Sequence, residues 1–188
     1  MAADPDGWIP EWFELAFGLP PTDGRDEASR ADTVRIGGRF VLRGSIDLVE
    51  RHGPTGVLRV TDHKTGRARV ADHPLVSGGE VLQPILYSLA LEEMTGKMVH
   101  EGRLWFCTSA GQFKVVPVQL TETSRRAGLE VLEIIDRGIE QGLLAAYPKH
   151  GACQWCDFGA VCGPDAERRA RRKHAAKFQD VIELRERE

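Results

Sequence analysis

No stretch of this 188-residue sequence approaches the roughly 18 consecutive apolar residues of a membrane span. Met1 to Pro10 carries acids and no basic apolar leader, which reads as no signal peptide. There is no global excess of positive charge: the formal net charge is -3, so the sum does not advertise a nucleic-acid partner. Histidine is missing before His52, and cysteine is missing before Cys107. With so few thiols and no exported context, a disulfide framework is not expected; a reduced, cytoplasmic compartment is. What remains is 41% hydrophobic and 28% charged, the composition of an ordinary globular domain with a core of its own.

The distribution of charge says more than its sum. Residues 1–32 hold eight acids against two arginines, whereas Arg168, Arg169, Arg171, Arg172, Lys173 and Lys177 form a basic run without an acid. That run is either a local footprint for phosphate or the solvated face of a terminal helix. Three of the four cysteines, Cys153, Cys156 and Cys162, lie within ten residues of one another. The chain divides into an N-terminal segment (1–32), a core (33–148), a cysteine segment (149–163) and a charged helical tail (164–188).

Residues 8–17 are aromatic and apolar, and fit a short helix or an extended segment. Alternation over Thr33–Glu50 around Gly37-Gly38 predicts a β-hairpin. Val57–Thr61 predicts a further strand ending at Asp62-His63-Lys64. Residues 79–95 have helical spacing with Gly96 as C-cap, and Arg103–Thr108 with Phe113–Val118 predict two strands. Thr121–Leu144 is a long amphipathic helix with Thr121 as N-cap. Strands and helices in this order predict an α/β or α+β domain, a mixed central sheet with helices packed on it.

Asp62 and Lys64 are two apart on a strand and so share a face. Asp47 ends an earlier strand expected beside it. Two carboxylates meeting at strand ends can hold a hard divalent cation such as Mg²⁺ or Mn²⁺, leaving positions for water and phosphate. A lysine alongside can neutralise charge growing on a phosphate oxygen, or orient or deprotonate the attacking water. The dipeptide spacing by itself equally describes an exposed ion pair. The context is more specific: Gly44-Ser45 leads into Asp47, Thr65-Gly66 follows Lys64, and Gln83 and Tyr87 share one face of the downstream helix. The Cys-x2-Cys-x5-Cys spacing is a metal-ligand pattern open to zinc or an iron–sulfur cluster, with Trp155 and Phe158 expected to shield it. Cys107, in the apolar run Leu104–Cys107, reads as core packing.

Gly44-Ser45-Ile46-Asp47, Asp62-His63-Lys64-Thr65-Gly66, Gln83-Pro84-Ile85-Leu86-Tyr87 and the cysteine triplet, in that order, resemble the PD-(D/E)XK nucleases of the RecB branch. The likeness is greatest to the iron–sulfur nuclease domains of AddB and of the CRISPR-associated four-cysteine nucleases, and runs from about Glu11 to Gly163. It implies a restriction-endonuclease-like fold and a Mg²⁺- or Mn²⁺-dependent deoxyribonuclease, exonuclease-like, in DNA repair, recombination or phage defence. DNA is the implied partner, with a helicase domain or subunit beside it and no membrane. The resemblance makes Asp47 and Asp62 metal ligands, Lys64 the catalytic lysine, and Gln83 and Tyr87 the helix motif that touches DNA or positions catalytic groups. Glu14, in Glu14-x-x-Phe17-Gly18, matches a segment that precedes the first strand in this branch. It also implies a [4Fe–4S] cluster on Cys153, Cys156 and Cys162, with its fourth ligand absent from this chain.

Two departures stand out. The branch has a G-x-x-x-H helix whose histidine helps to hold the metal, and its first cluster cysteine lies far upstream; neither has a counterpart here. His63, next to Asp62 on a strand, points to the other face and is expected to be exposed or satisfied by a partner. The expectation is a C-terminal portion of a longer protein, or a member without its front end. The alternative function is a catalytically incomplete nuclease-fold module that binds DNA or serves as a scaffold in a larger helicase–nuclease protein.

Overall fold

The structure, a computed structural model, describes residues 6–20, 22–72, 74–143, 146–173 and 175–186, without the side chains of Trp155 and Ala175. Seven strands are described: β1 (Trp8–Phe17), β2 (Val34–Ile36), β3 (Phe40–Leu42), β4 (Gly44–His52), β5 (Leu58–Lys64), β6 (Val99–Phe106) and β7 (Val115–Gln119). Two long helices, α1 (Gln83–Thr95) and α2 (Glu122–Glu140), are followed by three short ones, α3 (Gly159–Cys162), α4 (Ala166–Ala170) and α5 (Gln179–Arg185). The main sheet has the order β1-β4-β5-β6-β7, and β2-β3 is a separate hairpin. Only β5 and β6 pair in parallel; the other neighbours in the main sheet are antiparallel. A parallel pair needs a long crossover, and α1 supplies it. This is the mixed sheet with helices expected from the sequence. Among the described residues no helix is long and apolar enough to cross a membrane.

Strand period sorts the sheet into two faces. Val49, Leu58, Val60, Leu104, Phe106, Val116 and Val118 are buried and pack against α1 and α2, with Leu91 and Met94 in one cluster and Ile85, Val131 and Ile134 in another. The intervening residues of the other face are polar. There Arg59 donates to Glu50 through Nε (2.9 Å) and Nη2 (2.8 Å), Arg103 Nη2 donates to the same carboxylate at 2.9 Å, and Thr61 donates to it at 3.1 Å. The Trp8 ring covers the Arg59 guanidinium at 4.2 Å. Glu50 and Arg59 are buried by this arrangement, a charged layer that strand alternation alone did not announce.

One glycine sets the height of α1 over the sheet. A Cβ on Gly102 would lie 2.6 Å from the Pro84 carbonyl carbon and closer still to its oxygen. Pro84 sits in the first turn of α1, where its missing N–H costs nothing. The close approach at Gly102 therefore fixes the helix end that carries Gln83.

Several boundaries differ from expectation for local reasons. Residues 8–17 are strand, not helix, because β4 offers a paired edge along their length. The helix expected from residue 79 begins at Gln83, since Gly78 and Gly79 adopt positive φ (63° and 89°) in a separate 3-10 turn. The hairpin reading holds for β2 and β3, with both turn glycines at positive φ, but β4 leaves it for the main sheet. Gly96 is a left-handed C-cap, and Thr121 and Ser124 form a capping box on α2. Leu144, the expected end of that helix, lies outside the described residues.

Candidate active site

The site is built where β5 ends and α1 begins, at the carboxyl end of the parallel pair, where crevices open in sheets of this kind. Leu48 pairs with Thr61 across β4 and β5, and one further step along that register sets Asp47 opposite Asp62. Asp62 and Lys64 share a face as the strand period requires: the Lys64 ammonium lies 2.6 Å from Asp62 Oδ2. Lys64 also donates to Gln83 Oε1 at 2.6 Å. Four of the expected residues thus meet: Asp47, Asp62, Lys64 and Gln83.

Their electrostatics are uneven. Asp62 is 5% exposed, and its Oδ2 is buried without a hydrogen bond, since Lys64 approaches it as a charge rather than along a hydrogen-bond angle. Burial lifts the Asp62 carboxyl above the usual carboxylate range; Lys64 offsets part of this and the Asp47 charge adds to it. Asp47 is more open, and its Oδ2 accepts the His63 N–H at 2.6 Å. The His63 ring lies 3.7 Å from that oxygen and tilts against Trp105 at 5.6 Å, partly exposed as expected.

Tyr87 sits one turn beyond Gln83. Its ring meets Phe17 edge-on at 6.4 Å and leans on Gly44, where an added Cβ would lie 3.3 Å from it. Gly44 is thus a packing surface for Tyr87 as well as the start of β4. Glu14 adopts φ +50°, a left-handed conformation in the middle of β1, and accepts a hydrogen bond from Ser45 Oγ at 3.2 Å. Ser45 was not singled out from the sequence, although the strand period puts it on the face of Asp47.

Among the described residues no three histidine, cysteine or acidic side chains stand close enough to hold one ion. Two carboxylates with one buried oxygen lacking a hydrogen bond nonetheless suit a hard divalent cation that completes its shell with water and phosphate.

The cysteine segment forms a second locus. Cys153, Cys156 and Cys162 are free thiols lining one cavity of about 230 Å³ together with Phe158 and Glu167. Desolvation first, then the negative charge of Glu167 and of the other two cysteines, pushes the Cys153 thiol up. Phe158 is 68% exposed, so it borders the cavity without shielding it; the Trp155 side chain is outside the described residues. Cys107 corrects the expectation of core packing. It is exposed, because β6 buries Leu104 and Phe106 and the next side chain emerges at the strand end. Its N–H donates to the Lys64 carbonyl at 2.9 Å, which places it beside the acid–lysine site.

Comparison with known proteins agrees with this geometry. The chain is 26% identical over 137 residues to a CRISPR-associated exonuclease Cas4/endonuclease Cas1 fusion of Leptospira interrogans serogroup Icterohaemorrhagiae serovar Lai (strain 56601). That match takes in 69% of this chain but only 24% of the fusion, so the chain spans about a quarter of that relative. The PD-(D/E)XK nuclease superfamily matches across residues 1–163. A match that takes in the sheet, both long helices and the cysteine segment makes the chain a member of the PD-(D/E)XK nuclease superfamily.

Proposed function

We propose that the chain hydrolyses phosphodiester bonds of DNA with a divalent cation, Mg²⁺ or Mn²⁺, held by Asp47 and Asp62. The observation that carries this reading is the juxtaposition at the end of β5: a buried carboxylate oxygen without a hydrogen bond, and a lysine 2.6 Å from it. When bound there, the cation would supply charge neutralisation at the phosphodiester and polarisation of water. Lys64 places a positive charge where a phosphoryl oxygen gains negative charge in the transition state. Gln83 holds that ammonium through its Oε1, and so acts through Lys64. Tyr87, packed on Gly44, keeps the helix face and the start of β4 in register. The first turn of α1 adds the positive end of a helix dipole to the same crevice. An exonuclease role in DNA repair, recombination or defence, in the cytoplasm and beside a helicase domain or subunit, is the setting that fits the resemblance.

The test is cleavage of end-labelled single-stranded DNA in Mn²⁺ by wild type and Asp62→Ala, with DNA binding followed by fluorescence anisotropy. Metal-dependent cleavage lost in the variant, with binding kept, supports the hydrolase. One observation favours a second reading: only two acids meet, with no third metal ligand among the described residues. A catalytically incomplete module would bind DNA without cutting it in either protein.

A further inference from the structure

The C-x2-C-x5-C segment supplies three sulfur donors, and a tetrahedral thiophilic site or a cubane cluster needs four. Cys107, the remaining cysteine of the sequence, is committed elsewhere: its backbone is bonded to the end of β5 beside Lys64. The cavity lined by the three thiols holds one further donor of a different kind. Glu167, on α4, lines it, and its side chain is only 20% exposed. Its carboxylate is held in place by the main chain of the cysteine segment: Gly151 N–H donates to Oε2 at 3.1 Å and Cys153 N–H to Oε1 at 3.2 Å. Each oxygen accepts one such hydrogen bond and keeps a lone pair for another partner. The chain thus folds back after Cys162 and sets this acid against the loop that carries Cys153.

We propose that Glu167 is the fourth ligand of a thiophilic metal centre whose other ligands are Cys153, Cys156 and Cys162. The proposal rests on the thiolate-metal reading of this segment and is independent of the hydrolytic site. Zinc takes carboxylate oxygen beside thiolates. An iron–sulfur cluster takes a donor other than cysteine at one iron, as Rieske centres do with histidine. His150 is the rival donor, with Nδ1 3.4 Å from Glu167 Oε2, but its side chain is 90% exposed and it does not line the cavity. As they stand, no three of these donors are within reach of one ion. Loading therefore draws the segment together, and metal binding is coupled to its ordering.

The experiment uses the whole chain, purified without oxygen, as wild type, Glu167→Gln, Glu167→Cys and His150→Ala. Iron, sulfide and zinc analysis first identifies the source. For a zinc protein, Co²⁺ is substituted and the sulfur-to-cobalt charge-transfer absorption is read. Glu167→Cys is expected to raise it by about a third, four thiolates against three. Glu167→Gln is expected to weaken Co²⁺ binding at least ~10-fold, and His150→Ala to leave the spectrum unchanged. For an iron–sulfur protein, the iron-to-sulfide ratio is followed through mild oxidation. Glu167→Gln is expected to lose one iron per cluster while wild type and Glu167→Cys keep all of theirs. A Glu167→Cys spectrum superimposable on wild type, a Glu167→Gln cluster that keeps its iron, or a shift in His150→Ala overturns Glu167 as ligand. A chain that takes up no metal overturns the thiolate-metal reading beneath it. None of these readings depends on DNA cleavage, so failure here is distinct from failure of the hydrolase.

Discussion

Gly102→Ala is a perturbation whose effect on catalysis follows from a single distance. The new Cβ would lie 2.6 Å from the Pro84 carbonyl carbon, whereas ordinary contact begins at 3.4 Å, so α1 must back away by about 0.8 Å. Both partners are backbone, so no side chain can turn aside to absorb the clash. Gln83 precedes Pro84 and holds the Lys64 ammonium at 2.6 Å, so the displacement passes directly to that hydrogen bond. A shift approaching 1 Å in a positioned catalytic group costs up to about 100-fold in rate, and a loss of roughly 10–100-fold is expected. Overpacking of this kind costs about 1–3 kcal/mol, or roughly 2–12 °C in melting temperature for a chain of this size. The control is Gly128→Ala on the other side of the same helix. There the clash is with Ile85 Cγ2 at 2.7 Å, a side-chain atom, so stability falls while the α1 terminus stays in place. Single-turnover cleavage of single-stranded DNA and thermal melting are measured for both. Wild-type cleavage by Gly102→Ala, or equal rate losses in the two variants at equal stability, would refute the reasoning.

Three further outcomes are expected. Glu50→Ala leaves Arg59 and Arg103 without their shared carboxylate on the polar face of the sheet, and about 3–5 kcal/mol of stability is expected to go, read by urea unfolding. In metal-free protein the raised Asp62 carboxyl opposes folding once it ionises: its contribution is fully present at low pH and is lost as pH rises through its folded-state pKa. Asp62→Asn is therefore expected to melt higher than wild type at neutral pH without metal, and to lose the rise that Mn²⁺ gives wild type. Burial opposes the Glu92 charge, but hydrogen bonds from Arg125 and from the Val99 N–H outweigh it and hold the carboxyl below its usual range. That stability is present above the unfolded pKa and lost as pH falls through the folded one, so Arg125→Met is expected to flatten the acid limb of the stability curve.

Local geometry made much of the site legible in the sequence. Strand period put Asp62 and Lys64 on one face, and helical spacing put Gln83 and Tyr87 on another, because both depend on neighbouring residues alone. The capping of α1 and α2 was legible for the same reason. The rest depends on pairing across the chain. That residues 8–17 form an edge strand is decided by β4, not by their own composition. The Glu50–Arg59–Arg103 layer joins three strands, and no single strand shows it. Cys107 looked apolar in its run, but its exposure follows from where β6 stops. Glu167 sits in the cysteine cavity only because the chain folds back after Cys162.

The rate of end-labelled single-stranded DNA cleavage, titrated against Mn²⁺ in wild type and Asp62→Ala, tests the central claim most directly. The account predicts a saturable rise with Mn²⁺ in wild type and a loss of at least about 100-fold in the variant, with DNA binding unchanged. Equal rates in the two proteins, or DNA binding without cleavage at any Mn²⁺ concentration, would contradict it.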